Sequence, residues 1–296
     1  MVESPPVTWT SGIAPAGMLN PINTVMHKKT SRILLLAFVA VAAVAFVTII
    51  ALVDARLGHA SMWSGWTLLG CVGVLLALGI RKRLPMLPLI PVRIWTRIHI
   101  YTGLFSLIVY ATHVPVIIAS GFFESTLSLL FLGVSLSGIY GVWISRTGAK
   151  RLTAVPGEYR FEQFGWHRKK IAERAWSILD RAGDSQDLPV LAAFYQRKLQ
   201  GFFTGRPSFA YVLVPTGGRR RRLLSELNDL DRYLAPSLKQ ASGKLAGLIR
   251  TRDDLDFHYA TQLRMRLWLA IHLAMTSAMM GFIVVHVLMA LQFRGG

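Results

Sequence analysis

Apolar residues in this chain come in long unbroken runs separated by charged stretches. Residues 33–53, 62–80, 98–119, 127–144 and 267–291 contain no Asp, Glu, Lys or Arg. About twenty residues at 1.5 Å rise cover a hydrocarbon core of about 30 Å, so each run predicts a transmembrane helix. Spans one and two form a hairpin through an outer loop at 54–61, and spans three and four form another through "SGFFEST". The intervening "RKRLPMLPLIPVR" reads as a Pro-broken inner connection. Trp63, Trp66, Trp95, Trp143 and Trp268 fall near the ends of the runs, where amphipathic rings favour the membrane interface.

Between spans four and five the pattern changes. "IAERAWSILDRAG" places Ile171, Ala175, Ile178 and Leu179 on one helical face, and Leu223, Leu227, Leu230 and Leu234 recur at helical spacing. "LPVLAAFYQRKLQGFF" opens with a Pro suited to a helix N-terminus, and "FAYVLVP" predicts a short strand. The fold class expected is therefore all-α. It is a polytopic membrane bundle of five transmembrane helices, with a mostly helical cytoplasmic insertion between helices four and five. The segments are an N-terminal cytoplasmic piece (1–32), spans one to four (33–145), a basic cytoplasmic helical segment (146–266) and span five with a short outer tail (267–296).

Composition agrees with a membrane protein: the 296 residues are 53% hydrophobic. The first 32 residues are Pro- and Gly-rich and precede a full-length span, so no cleavable signal peptide is expected. The net charge of +18 is unevenly placed. With the N-terminus in the cytoplasm, 31 of the 33 Lys and Arg lie on the cytoplasmic side, leaving Arg56 and Arg294 outside. That distribution is a topology and lipid-surface signal. It puts the N-terminus in the cytoplasm and the C-terminus outside, and it makes nucleic-acid binding a poor explanation; the membrane expected is a bacterial cytoplasmic (inner) one. The run Arg219–Arg222 reads as a solvated or lipid-facing patch, a docking site for an acidic partner being the alternative. The single cysteine, Cys71, lies in span two and reads as a packing residue. One cysteine excludes an intrachain disulfide and an iron–sulfur cluster held by this chain alone.

Four of the eight histidines lie inside spans. His99 and His113 are fourteen residues apart on span three, and His272 and His286 are fourteen apart on span five. Fourteen residues bring the chain to within about 40° of four full turns, so each pair shares a face, about 21 Å apart along the axis. Both spans run from inside to outside, which levels His99 with His272 and His113 with His286. Two facing imidazoles at each level suit axial ligation of a haem iron, and an iron so held has no open position for a substrate. Between the histidines lie Gly103, Ser106 and Tyr110, with Thr102 beside them, and on span five Met275, Thr276 and Met279. Small residues let a flat macrocycle approach, and Met packs well on rings. Small residues serve plain helix packing equally well.

Arg93, Arg97, Arg264 and Arg266 flank the inner level, where they would pair with propionates or act as positive-inside anchors. His27, His59, His167 and His258 read as surface residues. The spans hold no carboxylate, which argues against cation-coupled transport, and two histidines per level are too few for zinc.

"RIWTRIHIYTGL…H" and "LWLAIHLAMTSAMMGFIVVH" resemble the paired-histidine spans of dihaem membrane b-type cytochromes. The pattern is similar to that of the ferric-reductase-like/NADPH-oxidase membrane domain, and to the four-helix core of respiratory cytochrome b. The resemblance implies two non-covalent b haems on His99, His272, His113 and His286. It further implies an electron-transfer subunit of an oxidoreductase complex linking a quinone pool or cytoplasmic donor to an outer-side acceptor. The partners implied are other subunits carrying c-type haem, iron–sulfur or flavin groups, with a quinone at a subunit interface and membrane lipids around. The Pro-Glu-Trp-Tyr quinol motif is absent, as is a glycine-rich dinucleotide fingerprint. Two alternatives stay open: a ferric-reductase-like enzyme served by a separate flavoprotein, and a non-redox membrane scaffold or haem carrier.

Overall fold

The computed structural model describes residues 21–56, 59–83, 91–114, 116–154, 159–182 and 187–292, and among these there is no strand. Four helices are long and apolar enough to cross a membrane: α1 (Pro21–Ala55), α2 (Ala60–Arg83), α4 (Phe122–Ala154) and α10 (Pro236–Gln292). The basic segment supplies α5 (Phe164–Asp180), α6 (Leu188–Phe194), α7 (Gln200–Thr204), α8 (Phe209–Leu213) and α9 (Gly218–Asp231). The Pro-broken connection at 84–90 and Arg294 lie outside the described residues.

The run expected as span three becomes α3 (Val92–His113), which starts earlier and stops six residues sooner than the apolar run. Pro115 explains the stop. A residue before proline is pushed out of helical geometry, and Val114 is extended at φ −116°, ψ 101°. With Arg93 and Arg97 in its first turns, α3 is not among the four helices that meet the length and apolarity of a span. Upstream, α1 begins at Pro21, before the apolar run that opens at residue 33.

The chain divides into two compact units, Met1–Ala119 and Ser120–Gly296. In the first, α3 packs against α2 and α1. Val39, Ala43 and Ile50 form the buried stripe of α1, while Ile33, Phe38, Val41 and Val44 are exposed. Phe46 meets Phe105 edge to face with ring centres 5.8 Å apart. Apolar side chains pointing outward are what a lipid solvent demands. Thr48, Thr67 and Thr96 accordingly return their hydroxyls to carbonyls one turn back.

In the second unit, α4 opens after Gly121, whose φ of +99° is a conformation other residues rarely adopt. Farther along, α4 packs on the upper part of α10. The lower part of α10 carries the core of the basic helices. Leu238, Leu245, Ile249 and Leu255 are fully buried with Leu191, Leu199 and Phe203. Each such side chain contributes about 1.5–3 kcal/mol. The two amphipathic patterns read from sequence hold: Ile171, Ala175 and Leu179 are buried on α5, and Leu223 and Leu227 on α9.

Three expectations are corrected. "FAYVLVP" is one turn of helix, not a strand. Ser208 caps it by accepting from the Tyr211 N–H at 3.3 Å, and Pro215 prevents its extension. His258 is buried, not a surface residue: it follows Leu255 on the inward stripe of α10 and meets the Tyr159 ring edge-on at 5.2 Å. His167 is half-buried beside the same tyrosine, whereas His59 is exposed. Within the Arg219–Arg222 run, Arg220 turns inward to Asp253 and Asp254 at 3.4 and 3.5 Å, and the other three are exposed.

A buried ionic cluster locks the basic helices to α10. Arg252 is fully buried and forms an ion pair with Asp256 one turn on. Its guanidinium donates to the carbonyls of Phe203 at 3.3 Å and Gly205 at 2.6 Å, closing the end of α7. Arg168 of α5 approaches Asp256 at 3.7 Å. Burial pushes the Asp256 carboxyl above its ordinary value against the pull of Arg252, and burial likewise raises Asp253 against Arg220.

Candidate cofactor-ligating histidines

α3 is continuous through His99 and His113, and α10 through His272 and His286. Each pair therefore does share a helix face, and all four rings are half-buried. What surrounds them is informative. His99 Nδ1 lies 3.1 Å from the carbonyl of Leu75 on α2. His113 Nδ1 lies 3.2 Å from the Ser61 carbonyl and 3.1 Å from the Ser64 hydroxyl. A carbonyl only accepts, so these contacts suit a proton on Nδ1 of both rings. His272 Nδ1 is 3.1 Å from the Ser137 hydroxyl of α4. Metal-bound imidazoles characteristically have their second nitrogen held in this way, which sets both tautomer and ring direction.

A glycine makes room for one of the rings, and another lies in ordinary contact with a second. A Cβ on Gly65 would approach His113 Cε1 to 3.1 Å, and one on Gly138 would lie 3.9 Å from His272 Cε1. Gly141 and Gly133 of α4 accept the Trp268 ring and the Met275 methyl, contacts that a side chain would block. Trp268 also donates from Nε1 to the Ser137 carbonyl at 2.8 Å. Trp268 is thus tied to α4 and half-buried, whereas Trp63, Trp66 and Trp143 are exposed.

The remaining candidates fall in varied places. Ser106 is buried, donating to the Gly103 carbonyl at 2.9 Å, and Tyr110 donates to the Ile117 carbonyl at 3.0 Å. A Cβ on Gly103 would meet Leu75 at an ordinary 3.8 Å, so α2–α3 packing does not by itself require glycine. Met279 is buried on α10. The arginines point elsewhere. Arg97 is about 200° of helical turn from His99; it lines a cavity of about 1120 Å³ between α1 and α3 with Leu34, Phe38, Tyr101, Thr102 and Phe105. Arg264 donates to the Leu213 carbonyl at 3.1 Å, and Arg266 pairs with Glu162 at 3.2 Å. Both are engaged by the basic helices.

Among the described residues no three His, Cys, Asp or Glu side chains gather as a metal site would need. The partners of Nδ1 are what sequence reading missed. A backbone carbonyl on a neighbouring helix leaves no signature in the sequence, and Ser64 and Ser137 look like ordinary small residues of a span. Comparison with protein-family models, with curated proteins and with solved structures gives no match for the chain.

Proposed function

We propose that this membrane protein carries electrons across the bilayer through two b haems, each iron taking one imidazole from α3 and one from α10. His99 and His272 would hold the inner group, and His113 and His286 the outer. The observation that carries the reading is the state of the α3 imidazoles. In both, Nδ1 sits within hydrogen-bond distance of a fixed carbonyl on α2, an arrangement that sets the direction of the ring as it does for metal-bound imidazoles. The repeated spacing of fourteen is the second support.

Bound haem would supply one-electron chemistry at iron, with potential tuned by its axial ligands and their hydrogen bonds. The protein's share is to aim the rings, keep them half-buried in apolar surroundings and exclude competing ligands. Ser137 and Ser64 orient His272 and His113. Leu75 does the same for His99 through its carbonyl. Propionates would find other partners than Arg264, which is held by Leu213. The topology that goes with this reading is five crossings, with α3 as the third and residues 146–266 in the cytoplasm. The chain would then act as the cytochrome b subunit of an oxidoreductase complex. The apolar α1–α3 cavity, with Thr30, Arg97, Tyr101 and Thr102 as its polar groups, suits a lipid-soluble carrier such as a quinone.

Alanine substitution of single ligands tests the pairing. His99→Ala and His272→Ala should lose the same haem, or turn it high-spin, with matching residual spectra. His113→Ala and His286→Ala should match each other on the second haem. A double variant within one level should be little worse than either single, because the two rings act as one unit. Matching of His99→Ala with His286→Ala would refute the pairing.

A further inference from the structure

We infer that α8 and the turn after it rest in the headgroup layer of the leaflet through which α10 enters the membrane, with Phe209, Leu213 and Val214 in contact with lipid. This inference is independent of the haem reading. The three side chains are 67%, 52% and 65% exposed, although they belong to the basic helices, whose apolar residues are otherwise mostly inside. Phe209 and Leu213 are four residues apart and share one face of α8. The opposite face is pinned. Tyr211, about 160–200° away from both, reaches Asp253 at 3.3 Å, well down α10. Tyr211 is half-buried there, and burial with the neighbouring Asp253 carboxylate raises its phenol above the ordinary range.

Height along α10 sets the depth. The Leu213 carbonyl accepts from Arg264 at 3.1 Å. Arg264 stands three residues, about 4.5 Å of axis, before the uncharged run that begins at Leu267. The face carrying Phe209 and Leu213 is therefore turned away from Asp253 and toward the level where α10 meets hydrocarbon. Charge agrees with a lipid occupant. Arg219, Arg221 and Arg222 are exposed on α9, whose Arg220 binds the same Asp253 that holds Tyr211. Positive charge on the same basic segment adds the long-range attraction that draws an apolar face to anionic headgroups. A protein partner would not require the patch to sit at this height.

Spin labelling of the full-length protein tests the inference. Cys71 is replaced by serine, and single cysteines are placed at 209, 213 and 214, with Tyr233→Cys as the reference. Tyr233 is 82% exposed and precedes α10, about 45 Å of helix below Leu267. In vesicles of phosphatidylethanolamine and phosphatidylglycerol, labels at 209 and 213 should collide with oxygen several-fold more, and with a water-soluble nickel chelate several-fold less, than the label at 233. Collision ratios equal to those at 233 would overturn the inference. Shielding from both reagents would also overturn it, in favour of a protein contact. The label at 214 stands in for either site if its variant does not fold.

Discussion

The two halves of α10 are one continuous helix living under opposite rules. From Pro236 to Arg266 its inward stripe is buried against protein, and even Arg252, Asp253, Asp256 and His258 lie inside. From Leu267 to Gln292 the buried residue is Met279, while Leu269, Ile271, Leu273, Val284 and Leu288 face outward. The lower half hides apolar atoms from water and must pair each charge it buries. The upper half exposes apolar atoms and avoids charge altogether. The same helical backbone serves both because its hydrogen bonds are internal. What differs is where the side chains find their solvent.

The largest expected effect breaks the lower half alone. Asp256→Ala leaves Arg252 and Arg168 buried without their shared carboxylate, which costs about 3–5 kcal/mol. Hydrogen exchange should lose protection over residues 238–261 and keep it over 268–290. Loss in both regions would mean that the halves unfold as one unit. A matched pair sharpens the contrast. Leu245→Ala removes a fully buried side chain and should cost about 2–5 kcal/mol. Leu273→Ala, at a site 54% exposed, should change stability by no more than about 0.5 kcal/mol in the bilayer. Equal costs would contradict the assignment of lipid to the upper half.

Packing of the upper half on α4 gives the next effect. Gly141→Ala drives a methyl into the Trp268 ring and should destabilise by about 1–3 kcal/mol, read by thermal unfolding in detergent. Gly103→Ala meets Leu75 at ordinary distance and should leave the fold within about 0.5 kcal/mol. Haem loss in that folded variant would show that a macrocycle, not α2, uses the space. The smallest effect is Ser137→Ala. It removes one hydrogen bond to His272, worth about 0.5–1.5 kcal/mol, and should shift the midpoint potential of one haem and not the other. Ser137→Thr, which keeps the hydroxyl, should restore it.

Much of this was legible in sequence. Four of the five uninterrupted apolar runs located helices long and apolar enough to cross a membrane, and helical periodicity found Leu223, Leu227, Ile171 and Ala175 in the core. The histidine register was legible for the same reason, since a helix converts spacing into a shared face. The continuity of α10 was not. Residues 236–266 carry many charges, and the burial of Arg252 and Asp256 depends on carbonyls and a carboxylate brought together only by folding. α8 misled because β-branched and aromatic residues suggest a strand, while Ser208 and Pro215 bound a segment too short to pair. Pro115 stood in plain view as the end of α3, yet an apolar run extending past it reads as span.

The central claim rests on four imidazoles and is tested most directly by counting haem. The full-length protein should be purified in mild detergent from haem-replete cells and its pyridine haemochrome measured. Two non-covalent b haems per chain, with a sharp low-spin alpha band after dithionite, is the predicted result. A folded preparation without haem from such cells would contradict it.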